Sequence, residues 1–275
     1  MVNTDGAIID AERHGFAWRE HSSPIPNGRD PTPTVVLLHG LMGSRLSWDA
    51  QLGRLGVART VAWDMPGYGR SQPLGSSVDF HRLATAVDRF ADVIGADTYH
   101  LVGISFGGMI AQYAAADGNE RVRSVSLLAT SPCFGLDGTS PEVWRRARLA
   151  QLDAGLEPLE LAGSVLRSLG GPRFGDKEID GQVAAAGRVT AAALRVSIDC
   201  LITHDSRGLL HSIAAPTLCL VGDADEETPL PYSRYLTDHI PDARMVTIPG
   251  AGHLLNAEAP TLVNTELRTH IEAHT

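Results

Sequence analysis

Nowhere in this 275-residue sequence do about 18 apolar residues follow one another, so no membrane-spanning helix is expected. Residues 1–11 lack a basic segment followed by an apolar core, so export is not expected either. Cysteine is scarce. Cys133, Cys200 and Cys219 are odd in number and form no C-x-x-C pair, which argues against a disulfide framework and against a zinc site, and fits a reducing cytoplasm. Positive charge is in deficit, with 23 Lys and Arg against 32 Asp and Glu, a net charge of -9. That leaves no basic field for a polyphosphate, so nucleic acid is excluded as a partner and a small molecule is expected, with self-association left open. No internal repeat or low-complexity segment occurs.

What is present is 43% hydrophobic residues and 28 glycines, enough for one sizeable globular domain or one domain carrying an insertion. Thr34-Val35-Val36-Leu37-Leu38 is a continuous apolar run, the mark of a strand buried on both faces. Thr60-Val61-Ala62-Trp63, residues 98–102 and residues 122–129 read the same way. Asp79 caps a helix whose apolar positions Phe80, Leu83, Ala84, Val87, Phe90, Ala91 and Ile94 keep the helical period. Strand and helix alternate, which predicts a parallel sheet covered on both faces. Residues 8–22 turn about His14-Gly15 and read as two short edge strands, and residues 24–33 as a loop rich in proline and glycine. From 131 to 207 the alternation stops and three helical stripes follow, at 144–152, 159–169 and 194–202, with Gly170-Gly171-Pro172 between the second and third. These predict a helical cap inserted into a core of residues 1–130 and 208–275. Residues 216–221 and 244–248 resume the sheet, and residues 261–270 close the chain as a helix.

Chemistry concentrates in Val102-Gly103-Ile104-Ser105-Phe106-Gly107-Gly108, a G-x-S-x-G with a strand before it and a buried helix, 109–116, after it. A hydroxyl is a weak nucleophile, so Ser105 needs a base and a stabiliser for the oxyanion it creates. The Phe106 N–H at the helix start is one candidate donor, and the Leu41 N–H, in the loop His39-Gly40-Leu41-Met42-Gly43-Ser44 after a strand, is the second. His39 reads better as a neutral ring bracing that loop than as a catalyst. In an open parallel sheet, functional groups collect at the carboxyl ends of strands. His253 stands at one such end as the base, and an acid after Val221 stands at another. Asp225 and Asp223 are both close enough to that end to hold the His253 ring, with Asp225 preferred. Trp144, Arg148 and His204 are cap candidates for shaping the pocket.

The chain resembles the α/β-hydrolase superfamily along almost its whole length. The resemblance is carried by His39-Gly40-Leu41, Asp64 through Gly67, Gly69 and Ser71, Gly103 through Gly107, Asp225 with Thr228-Pro229, and Gly252-His253. It implies an α/β fold with a helical cap, and it carries the acid onto Asp225. Within the superfamily the chain looks most like the 3-oxoadipate enol-lactonases of aromatic-compound degradation. The shared stretches are Gly107-Gly108-Met109-Ile110-Ala111-Gln112, Trp144, Arg148, and Gly252-His253-Leu254 with Asn256, Glu258 and Pro260. It departs where Arg167-Ser168-Leu169 replaces that group's Arg-Trp-Phe. The resemblance implies a cofactor-free serine hydrolase of a small ester or lactone, with Arg148 meeting the carboxylate of an anionic lactone. A general carboxylesterase is the nearest alternative. Leu254, where carbon–carbon bond hydrolases carry tryptophan, argues against those enzymes, and a binding module without turnover would be marked by a missing triad member.

Overall fold

A computed structural model describes residues 6–22, 34–57, 59–75, 77–116 and 118–275. The proline-rich loop at 24–33 lies outside the described residues. The sheet begins with β1 (Ile8–Arg13) and β2 (Phe16–Ser22), joined at His14 and Gly15, whose φ angles of 50° and 82° make the doubly left-handed turn that matches strand twist. β3 (Thr34–Leu38) and β4 (Arg59–Trp63) follow, with a short 3-10 helix, Arg45–Trp48, between them. Next come α1 (Phe80–Ile94), β5 (Tyr99–Ile104), α2 (Phe106–Ala115) and β6 (Val122–Leu128). Asp79 caps α1 by accepting from the Arg82 N–H at 2.8 Å, and Gly95, at φ 69°, ends it.

The eight strands run in the order β1-β2-β4-β3-β5-β6-β7-β8, where β7 is Thr217–Gly222 and β8 is Ala243–Ile248. Pairing is antiparallel for β1 with β2 and β2 with β4, and parallel from β4 to β8. The expectation of two edge strands is corrected here: β1 is the edge, while β2 lies inside the sheet against β4. Apolar residues alternate across the sheet. Val36, Leu38, Leu101 and Leu127 face a core shared with α1 and α2, and Val35, Leu37, Val102 and Leu128 face the other.

Between β6 and β7 stand four helices, α3 (Pro141–Asp153), α4 (Pro158–Leu169), α5 (Asp176–Ala186) and α6 (Ala191–Leu201). The sequence predicts three. Those three are α3, α4 and α6; α5 is hidden because Gly181 sits at its centre and a polar residue, Gln182, occupies one of its four buried positions. After β7 come α7 (Leu230–His239), and after β8 a single turn, α8 (Leu255–Glu258), and α9 (Pro260–Ala273). No described helix is long and apolar enough to cross a membrane.

Candidate active site

Four loops at the carboxyl ends of β3, β5, β7 and β8 converge under the cap. Ser105 ends β5 with φ 53° and ψ -120°, a left-handed backbone that costs a non-glycine residue about 1–3 kcal/mol and is held by its surroundings. The hold is visible: the Ser105 N–H donates to the Leu128 carbonyl at 2.9 Å, and the Thr130 hydroxyl donates to the Ser105 carbonyl at 2.8 Å. Gly103 and Gly107 are required by space. A Cβ on Gly103 would overlap the Gly107 carbonyl, and one on Gly107 would overlap the Leu38 carbonyl. The Phe106 N–H lies in the first turn of α2, where main-chain donors have no intrahelical acceptor, and the Ser105 side chain does not cap it.

The loop after β3 passes beside the serine, so close that a Cβ on Gly40 would lie 3.2 Å from that of Ser105. Residues 40–43 form a turn closed by the Gly43 N–H donating to Gly40 at 3.0 Å, with Met42 at φ 61° in the position that usually demands glycine. Met42 is therefore a second strained residue at the site, and Leu41 precedes it in the turn. His39 is fully buried. Its Nδ1–H donates to the Gly40 carbonyl at 2.9 Å and its Nε2 accepts from the Met65 N–H at 3.0 Å, which together tie the loop after β3 to the loop after β4. Burial keeps this ring below the ordinary histidine pKa, so it is a neutral brace.

Ser105, His253 and Asp225 form one hydrogen-bonded chain. The Ser105 hydroxyl donates to His253 Nε2 at 2.9 Å, and His253 Nδ1–H donates to both oxygens of Asp225 at 3.1 Å. Asp225 is fixed by the N–H groups of Glu227 and Thr228, each at 2.9 Å, and by the Thr228 hydroxyl at 2.8 Å. Asp223, the other carboxylate after β7, turns away to accept from the Gly250 N–H. Burial opposes a charged His253, but the Asp225 charge and hydrogen bond, with the charges of Glu227 and Glu258, outweigh it and hold the ring above its ordinary pKa. Burial likewise opposes the Asp225 charge, and the His253 and Thr228 interactions overcome it, leaving that carboxyl below its usual range. The arrangement can take a proton from Ser105 at His253 Nε2 while Asp225 holds the tautomer and balances the imidazolium.

Over the serine lies a cavity of about 380 Å³. Its cap side is largely apolar, with Leu161, Val165, Leu166, Leu194, Ile198 and Leu201, and also carries Gln151 and Gln182. Its lining also includes the exposed carboxylates Asp137, Glu226 and Glu227, and Arg148. Of the cap candidates, Trp144 and Arg148 line this cavity: the Arg148 guanidinium stacks over the Trp144 ring at 5.1 Å and faces Glu227 at 3.9 Å. His204 does not. It is buried behind the wall against Phe80 and Tyr113, and donates from Nε2 to the Ser131 carbonyl at 2.8 Å. Residues the sequence reading did not single out include Met42, Gln182 and Tyr232 in the lining.

The chain belongs to the alpha/beta hydrolase family, whose model matches residues 35–266. In sequence it is similar to the pimeloyl-[acyl-carrier protein] methyl ester esterase of Chromobacterium violaceum, 32% identical over 233 residues that span 80% of this chain and 87% of that protein. Its fold is similar to that of the enol-lactonase from Burkholderia xenovorans LB400, with a TM-score of 0.81 at 22% identity, covering 96% of this chain and 100% of that one. A thermophilic esterase from Thermogutta terrifontis is similar at TM-score 0.81 and 24% identity, covering 98% and 100%.

Proposed function

We propose that this protein is a cofactor-free serine hydrolase that cleaves a small carboxylic ester or lactone through an acyl-enzyme. The observation that carries this reading is the unbroken chain Ser105–His253–Asp225 beneath a cavity whose wall is largely apolar. Ser105 Oγ attacks the carbonyl as His253 takes its proton, and the oxyanion is received by the N–H groups of Phe106 and Leu41. His253 returns the proton to the leaving alcohol, then activates water against the acyl-enzyme. In a lactone the alcohol stays tethered to the acyl group throughout, and the second step releases a single hydroxy acid. Similarity to a methyl ester esterase supports ester chemistry.

The cavity narrows the class. Among its described lining residues Arg148 is the one arginine or lysine, set against the carboxylates of Asp137, Glu226 and Glu227, so a neutral ester or lactone with an apolar acyl part is favoured over an anion. The 3-oxoadipate enol-lactone of aromatic-compound degradation, which the cap resemblance points to, would need Arg148 released from Glu227 to meet its carboxylate. A panel of that enol-lactone, simple lactones and p-nitrophenyl esters, run with wild type and Ser105→Ala, tests both points. Turnover of neutral substrates that is lost in the mutant supports the reading. Turnover confined to the enol-lactone, with KM raised by Arg148→Ala, would restore the anionic substrate, and no turnover of any member would reject the hydrolase reading.

A further inference from the structure

A buried carboxylate outside the triad borders the His253 loop. Glu258, in the turn α8, is buried, and its two oxygens accept three main-chain donors: Gly171 and Gly252 to Oε2 at 2.9 and 2.8 Å, and Leu254 to Oε1 at 3.1 Å. Gly252 and Leu254 flank His253. Gly171 belongs to the cap, in the linker between α4 and α5. The last residue of α4, just before that linker, also binds the histidine directly, because the His253 N–H donates to the Leu169 carbonyl at 3.0 Å. The two segments touch so closely that a Cβ on Gly171 would overlap the Gly252 nitrogen. Leu169, at the end of α4 where the linker begins, is also part of the cavity lining.

The geometry points to Glu258 as a positioning residue that clamps the His253 loop to the cap linker, so that the base and one cavity wall are set by a single carboxylate. This rests on the hydrolase reading above. A carboxylate suits the task because it is acceptor-only and three donors converge on it. Glutamine in its place must turn its NH₂ toward at least one of those N–H groups, which pushes the loop or the linker away. The Glu258 charge also adds to those of Asp225 and Glu227 around the His253 ring, while Glu226 and Arg148 line the same cavity and Arg173 stands beside Gly250.

The test measures kcat and KM for a p-nitrophenyl ester from about pH 5 to about pH 9, with melting temperature, in wild type, Glu258→Gln and Glu258→Asp. Wild-type turnover that Ser105→Ala abolishes is the control, and if it fails, the hydrolase reading fails before Glu258 is reached. Expected for Glu258→Gln is a loss of kcat of about tenfold or more, a higher KM, and an acid limb of kcat/KM moved to lower pH. Expected for Glu258→Asp, which keeps the charge but falls short of the donors, is an acid limb nearer wild type with kcat still reduced. A folded Glu258→Gln enzyme with wild-type kcat and acid limb overturns the proposal, whatever its melting temperature. Should both variants fail to fold, amide exchange in the wild type decides. Slow exchange at Gly171, Gly252 and Leu254 relative to neighbouring loop amides supports the clamp, and exchange as fast as those neighbours overturns it.

Discussion

At the scale of single residues, the site depends on a proton that His253 must be free to accept. Its pKa is held above the ordinary histidine value of about 6.5, so activity is gained as pH rises through a midpoint above that value. In the proposed reaction the neutral ring is the base, which fixes the sign. Glu227→Gln removes one of the charges that raise it, and a pH profile of kcat/KM is expected to show the acid limb shifted downward with its plateau little changed. Replacing His253 with alanine should lower kcat by roughly 10⁴-fold or more, and adding Ser105→Ala should cost little beyond that, because the two act as one unit. Ser105 and His253 were legible in the sequence because glycine spacing and strand-end position leave few other uses for them. His204 was not legible: the distinction between lining a cavity and bracing the back of its wall depends on which way one buried ring faces, and no periodicity encodes that.

At the scale of elements, apolar runs identified the strands because a parallel sheet covered on both faces needs nearly every side chain buried. The helices missed are those whose folding owes least to their own pattern. α7 buries only Tyr232, Ser233 and Leu236, α8 is a single turn, and α5 carries a glycine at its exposed centre. A Cβ at Gly181 would meet nothing within 4 Å, so Gly181→Ala is expected to stabilise the protein by about 1 kcal/mol, read as a raised melting temperature. The elbow behaves oppositely. Gly107→Ala drives a methyl into the Leu38 carbonyl, and a loss of about 3 kcal/mol or more, seen as a lower urea midpoint, is expected together with loss of turnover.

At the scale of the whole molecule, four buried histidines bear on the acid limit, His39 among them, held below its ordinary value by burial. His100, His204 and His270 are each pulled down to about 4, burial being the largest cause. Between about pH 6.5 and about pH 4 the unfolded chain takes up protons that the folded chain refuses, so stability falls as pH falls across that window. His204 alone accounts for about 3 kcal/mol at the lower end, while His100 and His270 feel one another and do not simply add. Urea midpoints taken from neutral pH downward should decline through this range, and a flat profile would contradict the buried neutral rings. The triad reading itself is tested most directly by intact-protein mass after incubation with a fluorophosphonate. A nucleophilic Ser105 activated by His253 predicts one adduct on the wild type and none on Ser105→Ala, with His253→Ala labelled far more slowly. An unlabelled wild type, or an adduct that persists in Ser105→Ala, would contradict it.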